Sequence, residues 1–96
     1  MKAYWIAHVD VADAEQYTQY TSRAPAAFAK FGGRFLARGG RSIALEGGPA
    51  RARNVVIEFD SYEQAVARYE SAEYQEARAH REGVAQAQII IVEGVV

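Results

Sequence analysis

Residues 4–9 read Tyr-Trp-Ile-Ala-His-Val, residues 55–59 Val-Val-Ile-Glu-Phe and residues 88–92 Gln-Ile-Ile-Ile-Val. Runs of this length, rich in β-branched and aromatic residues, predict strands. In a sheet with one wetted face every second residue should be polar, and here that alternation is nearly absent. Both faces of the sheet therefore need a cover, but the rest of the sequence predicts only two helices. We expect a second copy of the chain to cover the remaining face.

The first half of the chain predicts a strand over residues 2–11 and then a helix. Asp13 is the expected N-cap of this helix, with Gln16 as its capping-box partner. Pro25 lies inside the helical pattern and should bend or split the helix, because proline lacks a backbone donor. Gly32-Gly33 should end the helix, since glycine adopts the positive φ of a C-cap without strain.

The second half predicts two hairpin strands, a helix and a last strand. The strands span residues 34–40 and 53–59, with a short extended piece at residues 42–46 and a turn at residues 47–49 between them. The next helix begins at the N-cap Ser61, can restart at Ser71 and ends at Gly83. Residues 87–92 form the fourth strand. In residues 34–38, strict alternation predicts Phe35 and Ala37 on one face and the other three residues, two of them arginines, on the opposite face.

The predicted order is β-α-β-β-α-β, which indicates an α+β, ferredoxin-like sandwich with a four-stranded antiparallel sheet. Right-handed crossovers place both helices on one sheet face. A chain of 96 residues is expected to form a single domain over residues 1–96. Its surface-to-volume ratio favours dimerisation through the uncovered sheet face.

Composition narrows the function classes. The net charge of −1 offers no general attraction to nucleic acid or membrane, and no apolar run is long enough to cross a bilayer. The chain has no cysteine, which excludes disulfides and thiolate chemistry. With no pattern typical of a signal peptide, we expect a cytoplasmic protein. Five arginines between residues 34 and 53 predict either a solvated surface or a pocket for an anion.

Individual side chains allow two interpretations each. His8 lies in mid-strand and is either a structural residue or a base that needs polar partners. Arg38 and Glu58 could meet across antiparallel strands, as an interface ion pair or as an anion clamp beside a proton acceptor. Tyr20 is either simply a core residue whose hydroxyl reaches the rim, or a residue that contacts a ligand. Arg81 either clamps a carboxylate or ties the second helix to the sheet. The histidines lack metal-ligand spacing, so we expect no metal site and no cofactor.

Several strings resemble the family catalogued as domain of unknown function 1330. They are Gly-Gly-Arg-Phe-Leu-Ala-Arg-Gly-Gly at residues 32–40, Val-Ile-Glu-Phe at 56–59, Ser-Ala-Glu-Tyr-Gln at 71–75, and Val-Glu-Gly at 92–94. Ala72 stands where the family often has proline, which predicts a softer helix break. The resemblance implies a dimeric α+β barrel, in which two ferredoxin-like sheets face each other. Related barrels include monooxygenases and ligand domains of transcription regulators, and an analogy of fold carries little about chemistry.

We therefore expect a homodimer that binds a small apolar or carboxylated molecule in a cleft between sheet and helices. Cofactor-free enzymatic activity is compatible with such a cleft. The alternative is a non-catalytic ligand-sensing or structural dimer. The residues predicted to contact the ligand are His8, Tyr20, Arg38, Glu58 and Arg81.

Overall fold

The computed structural model describes residues 1–95, and within this range four strands and four helical segments follow the predicted β-α-β-β-α-β order, with each predicted helix divided in two. In chain order the elements are β1 (Ala3–Val11), α1 (Ala14–Thr21), α2 (Ala24–Lys30), β2 (Arg34–Arg38), β3 (Arg53–Phe59), α3 (Tyr62–Glu70), α4 (Ala72–Ala79) and β4 (Ala85–Glu93).

The four strands form one antiparallel sheet in the order β2-β3-β1-β4. This is the predicted ferredoxin-like α+β arrangement. β1 is central and pairs along its length with both β3 and β4. The helix pairs α1–α2 and α3–α4 both pack on one face of this sheet, as the right-handed crossovers require. No helix formed by residues 1–95 is long and apolar enough to cross a membrane.

Each predicted helix is divided into two segments, at positions that the sequence indicates. α1 begins at Asp13, whose carboxylate accepts a hydrogen bond from the Gln16 N–H at 3.0 Å. The first break falls just before Pro25, which lies in the first turn of α2, where a missing N–H costs nothing. The second break falls at Ser71, whose hydroxyl accepts a hydrogen bond from the Tyr74 N–H at 3.1 Å. Both breaks are confirmed.

The hairpin between β2 and β3 differs from the prediction. β2 ends at Arg38 rather than residue 40, because Gly39 takes a φ of +72° and leaves the strand. A β-bulge lies between Phe35 and Ala37. Residues 39–52 form an irregular arm on which Ile43 and Leu45 are about 80% exposed.

The hydrophobic core lies between the sheet and the helices. Its largest buried side chains include Trp5, Ile57, Phe59 and Tyr74. The small residues Ala65 and Ala77 are fully buried, which lets the helices approach the sheet closely. The domain is a slab of 34 × 33 × 17 Å, because only one face of the sheet carries helices.

The Ser71 cap supports a prediction about stability. Ser71→Ala removes the acceptor at the start of α4 and should lower the free energy of unfolding by about 1 kcal/mol. For a domain of this size the midpoint of thermal unfolding should fall by roughly 4–8 °C. Circular dichroism melts at a fixed protein concentration measure this shift. Ser22→Ala, at the C-terminal end of α1, is the control and should change the midpoint much less. Equal shifts in the two variants would contradict the capping role of Ser71.

Candidate functional site

A small cavity lies between the sheet and the helices. β1 and β3 form its floor, and α1 and α2 form most of its roof. Its volume is about 40 Å³, which is space for roughly three water-sized atoms. Its mouth is marked by the lining residues that are not buried: Arg38 is exposed, and Thr21, Pro25, Phe35 and Arg53 are partly exposed. The remaining lining residues are Trp5, Ala7, Val9, Tyr17, Tyr20, Ala24, Phe28, Val55, Ile57 and Arg81.

Three arginines and no acidic residue line this cavity. Arg38 comes from β2, Arg53 from the start of β3, and Arg81 from the turn after α4. The guanidinium of Arg38 lies 4.2 Å from the centre of the Phe35 ring, which holds it at the mouth. Among residues 1–95, none of the three arginines forms a salt bridge. The cavity therefore carries positive charge without a compensating carboxylate.

Two buried phenols and Arg81 form a hydrogen-bonded group at the inner end of the cavity. The hydroxyls of Tyr20 and Tyr74 are 3.2 Å apart, and either can donate to the other. Arg81 Nη1 donates to the Tyr74 hydroxyl at 3.3 Å, and its guanidinium lies 5.2 Å from the centre of the Tyr20 ring. Burial raises the pKa of Tyr20, and the neighbouring Tyr74 hydroxyl adds to this effect. Tyr20 is therefore a neutral donor at physiological pH.

Tyr17 lies on the helical wall of the same cavity. Burial raises the pKa of its hydroxyl, and the positive charges of Arg53 and Arg81 partly offset the effect. Both guanidiniums therefore act electrostatically on the Tyr17 hydroxyl.

Arg68, on α3, is fully buried directly behind this cavity. Its guanidinium carbon lies 3.1 Å from the centre of the Phe28 ring and 3.9 Å from the centres of the Trp5 and Tyr74 rings. Nε, Nη1 and Nη2 all lack a hydrogen-bond partner within the described chain. Desolvation lowers the pKa of Arg68 to about 9, so the guanidinium is still charged near pH 7.

The structure divides the five predicted ligand contacts between the two faces of the sheet. Tyr20, Arg38 and Arg81 line the cavity together. His8 and Glu58 point away from it, because the alternate residues of β1 and β3 are the buried ones. His8 Nδ1 donates to Asn54 Oδ1 at 2.6 Å on that outer face. The structure therefore brings three of the five predicted residues together and leaves His8 and Glu58 on the opposite face.

The structure contradicts the predicted pairing of Arg38 with Glu58. Arg34 is the residue opposite Glu58, and its Nη2 contacts the Glu58 carboxylate at 2.9 Å and Asp60 at 3.0 Å. Arg38 lies opposite Val55. The register is the physical cause, since it places Arg34 opposite Glu58 and leaves Arg38 at the other end of the strand. The bulge in addition turns Arg38 to the helical face, while Arg34 stays on the outer face. The Lys2 ammonium and Arg34 donate hydrogen bonds that lower the pKa of Asp60.

Arg53 and Arg68 were not predicted as site residues. Arg53 was recognised only as one of a run of arginines. Arg68 had a detectable signal, because it stands three residues after Ala65 on the apolar stripe of α3. A charged residue at a core position of an amphipathic helix indicates either a snorkelling side chain or a buried site.

Outside the cavity, a depression beside β4 and the surface around His80 have side chains of the kinds that bind ligands or metals. A wider depression of about 490 Å³ borders β4 and shares Arg81 with the cavity, but it lies open between Tyr62, Tyr69 and the edge strand. His80 lies on the surface, 3.8 Å from Glu76 one turn earlier. In the described range, no group of three or more His, Cys, Asp or Glu side chains could hold a metal ion.

The fold and the site define a small ferredoxin-like protein with an arginine-lined cavity, and sequence comparison gives its family. The chain belongs to the family described as domain of unknown function 1330 (DUF1330), whose model matches residues 2–95. No match was found among curated proteins.

Solved structures with low sequence identity share the fold. A protein of unknown function from Rhodopseudomonas palustris is 18% identical, with 99% of this chain and 83% of that chain covered and a TM-score of 0.79. SnoaB, a cofactor-independent oxygenase from Streptomyces nogalater, is 9% identical, with 99% and 94% covered and a TM-score of 0.69. A dimeric ferredoxin-like protein of unknown function from Jannaschia is 11% identical, with 98% and 100% covered and a TM-score of 0.65.

The buried charge of Arg68 leads to a prediction about pH. Its folded pKa lies below its unfolded value, so its destabilising effect is complete below about pH 8 and weakens as the pH rises through about 9. The free energy of unfolding of the wild type, relative to Arg68→Met, should therefore rise by on the order of 1 kcal/mol between about pH 8 and pH 10. Urea titrations of both proteins at several pH values measure this difference. Tyrosines remote from Arg68 ionise alike in both proteins and cancel, and parallel profiles would contradict the prediction.

Proposed function

We propose that the protein is a homodimer whose cavity binds a small, largely apolar molecule that carries a carboxylate. The observation that supports this most directly is the cavity wall. It has three arginines without a salt bridge among residues 1–95, no acidic residue, and otherwise mainly apolar and aromatic side chains. Guanidinium groups bind carboxylates in a planar, two-point geometry. The aromatic side chains favour an apolar body on the same ligand.

The size of the cavity supports a specific mode of binding. A volume of about 40 Å³ accommodates the three heavy atoms of a carboxylate group but not a drug-sized molecule. The apolar part of the ligand then lies toward the mouth, between Pro25 and Arg38. Arg38 is exposed and its guanidinium stacks on the Phe35 ring, so its side chain can move aside as the ligand enters.

The lining of the cavity favours binding over catalysis. General acid–base chemistry near neutral pH needs a group such as histidine or a perturbed carboxylate within reach of the substrate. Glu58, the acceptor expected from the sequence, is on the other side of the sheet, and the lining residues include no histidine. SnoaB shows that this fold can house a cofactor-independent oxygenase, and Trp5 and the phenol pair are the groups that cofactor-free chemistry could use here. Ligand binding or sensing is the simpler function.

The open face of the sheet supports the homodimer. Ala37, Val56, Ile6 and Ile90 form one register row across all four strands on this face. Ile90 and Val92 are 44% and 45% exposed, and Ile43 and Leu45 project from the neighbouring arm. An apolar surface of this extent on a thin domain favours association. The Jannaschia structure is of a dimeric protein. A second copy on this face is the proposed partner, and a cytoplasmic location belongs to the same proposal.

Introducing a charge on the open face should dissociate the dimer. Ile90→Glu places a carboxylate where the proposed interface is apolar, so the dimer dissociation constant should increase at least about tenfold. Light scattering coupled to size-exclusion chromatography at micromolar concentrations measures the mass. Ala67→Glu, on the exposed side of α3, is the control and should remain dimeric. A wild-type monomer under these conditions would refute the homodimer.

One set of binding measurements can identify the ligand and test the role of Arg53. Native mass spectrometry of protein from its own host should show a discrete added mass, and a thermal-shift screen should select carboxylic acids over alcohols and amines. Arg53→Met should weaken binding of the best acid about tenfold, since it removes a positive charge that attracts the carboxylate from the mouth of the cavity. Arg51→Met, outside the cavity, is the matched control. An empty protein that no compound in the screen stabilises would favour a purely structural dimer.

A further inference from the structure

The inner end of the cavity contains more hydrogen-bond donors than acceptors. Each guanidinium has five N–H donors and no acceptor, and a phenol has one donor. Tyr74 oxygen accepts from Arg81, and one of the two phenols donates to the other. Whichever hydroxyl donates in that pair, the proton of the other has no acceptor among residues 1–95. A buried group of this kind is incomplete without an external acceptor.

Arg68 adds a second, independent deficit. All three of its nitrogens are buried and have no partner within residues 1–95, although the faces of its guanidinium contact aromatic rings. Cation–π contacts satisfy the faces and leave the N–H edges unpaired. Trp5 and Phe28, on which Arg68 stacks, are also walls of the cavity. The unpaired charge is thus one ring layer from the space that a ligand can occupy.

Arg68 and Arg81 are therefore two like charges that meet at Tyr74. Arg68 lies over the Tyr74 ring and Arg81 donates to its hydroxyl, and both arginines are buried. An uncompensated buried charge is strongly destabilising, and two on one tyrosine cost more than one. An anion at the inner end of the cavity would lower both penalties and would accept the spare phenol proton.

We propose that Tyr20, Tyr74, Arg68 and Arg81 form an anion site at the inner end of the cavity, which holds the carboxylate of a planar, aromatic acid. Arg81 and the Tyr20 hydroxyl, which line the cavity, contact the carboxylate; Tyr74 holds both of them from behind, and Arg68 stabilises the anion from behind the rings. The planar body of the ligand lies against the aromatic wall formed by Trp5, Phe28 and Phe35. This site rests on the proposed binding function and specifies both the end of the cavity and the ligand class.

Benzoate and its neutral isostere benzamide separate this site from general binding in the cavity. Their dissociation constants are measured by NMR titration of the amide signals of wild-type protein near pH 7. Benzoate should bind at least about tenfold more tightly than benzamide, because charge-assisted hydrogen bonds exceed neutral ones. Benzoate should also shift the signals of Tyr20 and Tyr74.

Substitutions then locate the anion. Arg68→Met keeps a side chain of similar length without the charge, and it should weaken benzoate binding about tenfold while leaving benzamide binding unchanged. The same variant, free of ligand, should melt at or above the wild-type temperature. Arg81→Met should also weaken benzoate selectively. Arg78 is a partly exposed arginine on α4 that pairs with Glu82, so Arg78→Met removes the same charge outside the cavity and should change neither constant.

The possible results discriminate between the two proposals. Equal affinity for benzoate and benzamide would overturn the anion site while leaving the cavity a binding site. A preference for benzoate that Arg68→Met leaves intact would remove Arg68 from the site. If neither compound binds and acetate also has no effect, the proposed function fails together with this inference.

Discussion

The structure depends on the alternation of side chains along β1, the strand at the centre of the sheet. Trp5, Ala7 and Val9 enter the core beneath the helices, whereas Ile6 and His8 emerge on the opposite face. Because β1 pairs with both β3 and β4, its alternation sets which residues of those strands are buried. The cavity and the open apolar face are thus two consequences of one register, and they are separated by a single layer of backbone.

Most of the fold could be predicted from local sequence. Apolar strand runs, the caps at Asp13 and Ser71, and the position of Pro25 each act over a few residues, so their effect is visible without tertiary information. The order of elements then restricted the topology to one arrangement. Tyr20 and Arg81 were assigned to a cleft between sheet and helices, where the structure places them.

The remainder of the site could not be predicted because it depends on long-range geometry. A bulge between Phe35 and Ala37 reverses the facing of Arg38, and a five-residue strand carries no sequence mark that distinguishes a bulge from regular pairing. The partner of Glu58 could not be predicted because it depends on the register of β2 against β3, and these strands are joined by the long irregular arm at residues 39–52. The surroundings of Arg68 come from three separate elements, so its burial among aromatic rings became visible only once those elements were packed together.

The break between α3 and α4 has a geometric consequence for the proposed anion site. In an uninterrupted helix, residues six positions apart are rotated by about 240°, so Arg68 and Tyr74 would point in different directions. The extended backbone of Ser71 resets this rotation and brings the Tyr74 ring beneath the Arg68 guanidinium. Ser71, which is not itself part of the proposed anion site, thereby sets the orientation of the Tyr74 ring relative to Arg68. A substitution that let residues 70–72 continue as one helix would therefore move this ring away from the guanidinium.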